Sequence, residues 1–309
     1  MARQHLLARL RTLPGPLKGG LWMTGACLCF AGMNVIIRQL AFDMHPFQVV
    51  FFRNLAGLAF MLPWLCRAGT TGLRTDHQRY YLGRSFIGFL SMLFWFTALA
   101  MMPLAEATAL SFTAPLFATI FAVVLLHEVV RARRWTATVI GFLGAMIILR
   151  PGFAELGTAH ALVIASSAMA GINASLVKQL TRTESANAIV TYMTLYILPM
   201  SLVPALFVWV MPPWHTVPLI VALGLIATLG HQAMTRAFAT TDTSIVMSFD
   251  YARLPFVALI AWLAFGEVPD VWTWVGAAVI VGASTYIAHR EASVARARSA
   301  VGAPRAADD

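Results

Sequence analysis

Long apolar runs, each about the length that crosses a bilayer as a helix, alternate along this chain with short polar connections. They predict helices at about 20–41, 46–66, 82–101, 103–126, 134–150, 158–178, 187–209, 217–238, 243–265 and 271–289. The runs are continuously apolar rather than alternating, which excludes the strands of a membrane β-barrel. The predicted class is an all-α integral membrane protein with ten transmembrane helices.

Composition agrees with the pattern: of 309 residues, 59% are hydrophobic and 11% charged. A soluble globule of this size does not bury that much apolar surface, so a soluble enzyme, a disordered chain and a disulfide scaffold are excluded. The net charge of +9 suggests a nucleic-acid partner at first sight. The basic residues, however, fall in clusters between the apolar runs: Arg3, Arg9, Arg11 and Lys18, then Arg67, Arg74 and Arg79, then Arg131, Arg133 and Arg134, then Arg182, and finally Arg290 onward. The intervening connections carry Asp43, His45, Glu155 and the stretch Glu267 to Asp270. By the positive-inside rule both termini are cytoplasmic, no nucleic acid is implied, and the lipid bilayer is the macroscopic partner. The first apolar run is too long for a cleaved signal peptide, and the Ala/Arg-rich segment 291–309 reads as a disordered cytoplasmic tail. Cys27, Cys29 and Cys66 have no His or Cys at metal-ligand spacing and read as packing residues, so no metal or cofactor is expected.

Compared with itself, the chain repeats. AGMNVIIRQL at 31–40 recurs as AGINASLVKQL at 170–180, ATALSFTAP at 107–115 faces TSIVMSFDYARLP at 243–255, and Trp135 faces Trp274. After a basic N-terminus at 1–19, the halves 20–152 and 153–290 hold five spans each. Five is odd, so the second half enters from the opposite face and the two form inverted repeats, an architecture suited to a site exposed alternately to each side.

Ionisable groups at bilayer depth are costly unless paired or hydrated, so they mark candidate chemistry. Asp250 and Arg253 lie near mid-span at i,i+3 spacing, with Tyr251 between them. Arg53 and Asn54 lie two turns into the second span, and His231 lies at mid-depth in the eighth. Asn34 and Asn173 occupy matching repeat positions. Trp95 and Tyr192 are the leading aromatic candidates for a cavity wall. For each a packing role stands beside the functional one: an internal salt bridge for Asp250 and Arg253, a carbonyl or headgroup partner for Arg53, interhelical glue for the asparagines, a packed histidine for His231. Arg38, Arg84, Glu106, Lys178 and Arg236 fall nearer span ends, where snorkelling suffices to explain them.

The stretches Pro103 to Ala107, Ser111 to Pro115, Leu126 to Glu128, Arg150 to Gly152 and Phe265 to Glu267 resemble the EamA-type drug/metabolite transporters over about residues 20–290. Within that family, Asp250 to Pro255 is most similar to the bacterial S-adenosylmethionine uptake branch. The resemblance implies a secondary transporter of the bacterial inner membrane, monomeric or homodimeric, and not an enzyme. Arginine for a carboxylate, Asp250 for a cation and an aromatic wall point to a zwitterionic, amino-acid-like substrate such as S-adenosylmethionine. The alternatives are an exporter of amino acids or other metabolites, a riboflavin-type vitamin carrier and an oligomeric channel.

Overall fold

The computed structural model describes residues 15–69, 75–114, 116–117, 120–121, 132–149, 157–240, 246, 249–250, 253–279 and 281–282. Among the described residues the helices run in this order: α1 (Gly15–Leu40), α2 (Pro46–Ala68), α3 (Gln78–Met101), α4 (Leu104–Ser111), α5 (Ala132–Leu149), α6 (Thr158–Leu180), α7 (Ala186–Phe207), α8 (Val217–Thr240) and α9 (Arg253–Phe265). Residues 271–279 and 281–282 are also helical, and no strand occurs among the described residues. Among the described residues six helices, α1 to α3 and α6 to α8, are long and apolar enough to cross a membrane. The other four expected spans, 103–126, 134–150, 243–265 and 271–289, coincide in part with α4, α5, α9 and the helical residues 271–279.

Short polar turns set the helix boundaries, and two of them repeat bond for bond. Ala41, Phe42, Asp43 and Met44 donate to Ile37, Gln39, Leu40 and Leu40, while Thr181, Arg182, Thr183 and Glu184 donate to Val177, Gln179, Leu180 and Leu180. The next helix is then capped by a side chain: His45 accepts from the Phe47 amide before Pro46-led α2, and Ser185 accepts from the Ala188 amide before α7. Pro63 in α2 and Pro204 in α7 stand at corresponding depths.

Exchanging the halves maps the packing onto itself. The pair α1–α8 becomes α3–α6, α2–α8 becomes α3–α7, and α1–α9 becomes α4–α6, while α2–α7 and α4–α9 are their own counterparts. The chain therefore carries a pseudo-two-fold relation between its halves in three dimensions as well as in sequence. Large apolar side chains such as Phe60, Phe86, Leu206 and Trp262 face outward. Lipid is as apolar as they are, so helix association rests on close packing through small residues. At the α2–α8 crossing, a Cβ added to Gly224 would fall 2.3 Å from the Ala56 Cβ. At the α1–α8 crossing, Gly230 leaves room for the Phe30 ring, 2.9 Å from where its Cβ would be. The α3–α6 counterpart is held by polar contacts instead: the Ser91 hydroxyl donates to the Ser166 carbonyl at 3.0 Å and Ser166 returns the bond at 2.9 Å.

A Gly224→Val substitution forces α2 and α8 apart and is expected to destabilise the protein by about 1–3 kcal/mol. Gly32→Ala, where nothing lies within 4 Å, serves as the neutral control. Thermal unfolding followed by size-exclusion chromatography measures both; equal midpoints for the two variants would refute the close-packing account.

Candidate substrate site

A cavity of about 230 Å³ lies between the halves, with walls from α1, α2, α3, α6, α7 and α8 and from Ser111, Asp250 and Arg253. Its surface is mostly apolar, with Met, Phe and Trp side chains between a few polar groups, as in most small-molecule sites. Of the residues singled out from sequence, Asn34, Arg53, Trp95, Asn173, His231, Asp250 and Arg253 all line it. Asn54 stands behind the wall, and Tyr251 lies outside the described residues. Tyr192 is placed elsewhere: it stacks between Tyr81, at 4.3 Å, and Tyr196, at 5.7 Å, and Gln78 donates to its hydroxyl.

Asp250 and Arg253 form the ion pair that their spacing allows, at 3.0 Å, and the same Arg253 nitrogen donates to the Ser111 hydroxyl at 3.3 Å. The Cys27 thiol on α1 faces the Asp250 carboxylate at 3.8 Å. The pair thus ties α9 to α4 and α1 and neutralises itself. Arg253 Nε has no hydrogen-bond partner, so this guanidinium keeps one free donor on the cavity.

Arg53 differs. It is 1% exposed, donates through Nη1 to the Asn54 Oδ1 at 2.8 Å and leaves Nε unpartnered. Asn54 is itself oriented by donating to the Val50 carbonyl at 2.7 Å. Arg84, assigned above to snorkelling, is 2% exposed and lines the same cavity. Its Nη2 meets only the weak acceptor Sδ of Met193 at 3.6 Å, while Nε and Nη1 have no partner. Position along α3 misled the sequence reading: Arg84 sits two turns from the helix start, but α7 covers that turn and closes the route to the headgroups.

The remaining polar wall is also underused. Asn34 accepts from the Trp95 indole at 3.2 Å and keeps Nδ2 free; Asn173 Oδ1, Ser167 Oγ and His231 Nδ1 are buried without partners. His231 meets Phe30 edge-on at 5.2 Å. Native interiors leave few such atoms. Their concentration on one cavity leaves both donors and acceptors there without protein partners.

One end of the cavity is latched between the halves. Arg38, the second residue assigned to snorkelling, pairs with Glu267 at 2.8 Å and donates to the carbonyls of Leu99, at 3.0 Å, and Met102. Glu267 also accepts from the Leu104 amide at 3.0 Å, and the left-handed Gly266, with φ 68°, turns the chain out of α9 to bring it there. At the repeat-related place Lys178 donates to the Phe238 carbonyl at 2.8 Å. The cavity reaches Val177 and Phe238 beside Lys178, but stops at Asn34 and Trp95, a turn short of Arg38. Glu106 and Arg236 are likewise engaged, with His160 at 3.1 Å and Asn187 at 3.3 Å.

A helical membrane bundle of two pseudo-symmetric halves around a central cavity defines a small-molecule transporter class. The sequence profile of the EamA-like transporter family matches residues 17–150 and 157–288, and the chain belongs to that family. It is therefore a multi-pass membrane transporter. The chain is 36% identical over 286 residues to a riboflavin transporter of Vibrio cholerae, covering 91% of this chain and 96% of that one. It is 27% identical to an S-adenosylmethionine uptake transporter of Rickettsia prowazekii, covering 89% and 94%. A crystal structure shares the fold at TM-score 0.61 and 18% identity, over 86% of this chain and 98% of that one.

Replacing Glu267 by Gln leaves Arg38 without its charge partner and is expected to cost about 1–2 kcal/mol, less than a fully buried pair because both side chains keep some solvent contact. The exchange Arg38→Glu with Glu267→Arg should recover part of the loss. A double-mutant cycle on thermal midpoints reads the coupling, and zero coupling would remove the latch.

Proposed function

We propose that the chain is an alternating-access carrier for a flat, uncharged or anionic heteroaromatic metabolite of riboflavin type. The observation that carries this reading is the charge of the cavity. Arg253 already engages Asp250, so Arg53 and Arg84 face the substrate without a carboxylate partner among the described residues. A flavin ring offers carbonyl oxygens that accept from guanidinium and amide donors, and its plane suits the apolar wall that includes Trp95, Phe96 and Phe30. A sulfonium such as S-adenosylmethionine brings a fixed positive charge toward two arginines, which costs affinity unless Asp250 leaves Arg253. The identity to the Vibrio cholerae riboflavin transporter supports the same ranking.

The carrier reading includes ten spans in two oppositely inserted halves, about 20–152 and 153–290, in a bacterial inner membrane with both termini cytoplasmic. Arg38, Glu267 and Asp43 then lie toward the outer face, and the cavity extends toward the inner one.

Proteoliposome counterflow tests the substrate. Labelled riboflavin should exchange saturably, Arg84→Met should weaken it at least tenfold, about 1.4 kcal/mol, and a hundredfold excess of S-adenosylmethionine should not compete. Saturable S-adenosylmethionine exchange with no riboflavin exchange would overturn the reading, and flux that never saturates would indicate a channel. For orientation, single cysteines near Arg133 and Glu155 are treated in intact cells with an impermeant maleimide. Labelling is expected near Glu155; labelling near Arg133 alone would invert the topology.

A further inference from the structure

We propose that Arg53 and Arg84 form a binding site for one small monovalent anion, with chloride as the physiological example, which occupies the cavity when no substrate is bound and is displaced as substrate loads. The site itself stands apart from the riboflavin reading; the displacement step rests on it.

The two guanidiniums touch no charged group of opposite sign among the described residues. Their polar partners are the Asn54 amide oxygen and the Met193 sulfur, both neutral. Both side chains are more than nine-tenths buried, both line the one cavity, and they lie within electrostatic reach of each other and of His231. Two like charges at bilayer depth with neutral partners repel each other and have lost their hydration, a cost that chains in this position relieve by a counter-charge. Asp250, the carboxylate on the cavity wall, is held by Arg253 and by its contact with Cys27. With no other carboxylate at the cavity among the described residues, the counter-charge for Arg53 and Arg84 comes from solution.

The donor set selects the kind of anion. Arg53 Nε, Arg84 Nε and Arg84 Nη1 are the unpartnered nitrogens of these two guanidiniums. Three such nitrogens in a mostly apolar cavity match a halide. A tetrahedral oxyanion has more acceptor positions than that to satisfy. A divalent anion also gives up far more hydration on entry. The same donors are those a substrate carbonyl or carboxylate would use, so the anion and that group compete for one place.

The test uses the purified full-length protein without substrate, at constant ionic strength, with chloride replaced stepwise by gluconate. Chloride is expected to raise the unfolding midpoint saturably, bromide at least as much, and sulfate no more than gluconate. Arg84→Gln removes one of the repelling charges. It should be at least as stable as the parent in gluconate and should lose most of the chloride response; Arg53→Gln should do the same, giving a second readout should one variant fold poorly. Equal midpoints in chloride and gluconate, or an undiminished chloride response in both variants, would overturn the site. Riboflavin titration then tests displacement: at chloride about nine times its own Kd, the apparent Kd for riboflavin should rise about tenfold. Chloride stabilisation with no effect on riboflavin affinity overturns displacement and leaves the site. Chloride stabilisation with no riboflavin binding at all overturns the substrate reading and leaves the site.

Discussion

Arg53 and Arg84 are buried among apolar helices, and the lack of a counter-charge for them among the described residues is the constraint around which the rest of this molecule is arranged. A buried cation in a bilayer-spanning bundle is tolerated when something mobile and negative or strongly polar joins it, and a central cavity is the means of letting that happen. Other charges of the bundle are spent on structure: Asp250 on Arg253 and, nearer the helix ends, Arg38 on Glu267. This division separates the charges that are paired from those left without a carboxylate partner among the described residues.

The pseudo-two-fold relation explains where the cavity lies and how its two ends differ. Each half offers a cation near the end of its first helix, Arg38 on α1 and Lys178 on α6, and each reaches a carbonyl on the helix across from it, Leu99 on α3 and Phe238 on α8. The contacts correspond, yet the cavity touches Phe238 and stops short of Arg38. In the proposed carrier the two ends, only one of which the cavity reaches, exchange at little energetic cost because the halves are equivalent in build. Glycine at Gly224 and Gly230 lets α8 lie close to α2 and α1. Such crossings depend on shape rather than on hydrophobic force, which lipid supplies equally to every arrangement.

Much of the site was legible before any contact was known, because charges and amides are rare enough in apolar spans to stand out. Seven of the ten candidates line the cavity, among them Asn34 and Asn173, which the repeat paired in advance. Tyr192 was not separable from the wall residues, since an aromatic side chain in a span faces lipid, core or cavity with equal composition; here it stacks with Tyr81 and Tyr196. Arg84 was passed over for the opposite reason: distance from the helix end is visible in a sequence, but the helix that covers that turn is not.

The sequence by itself determined the solvent, the secondary structure and the duplication: runs about 20 residues long with no alternation allow a helix and little else in lipid, where the backbone must bond to itself. Turn residues such as His45 and Ser185 fixed where those helices begin. Tertiary structure alone decided which charges cancel. Whether Arg53, Arg84, Arg253 and Arg38 meet a carboxylate depends on helix rotation and on which helix lies across from each, and those follow from packing between segments far apart in the chain. Electrostatic pairing at bilayer depth is a property of distances of a few ångströms, and such distances between helices are set only when the bundle closes.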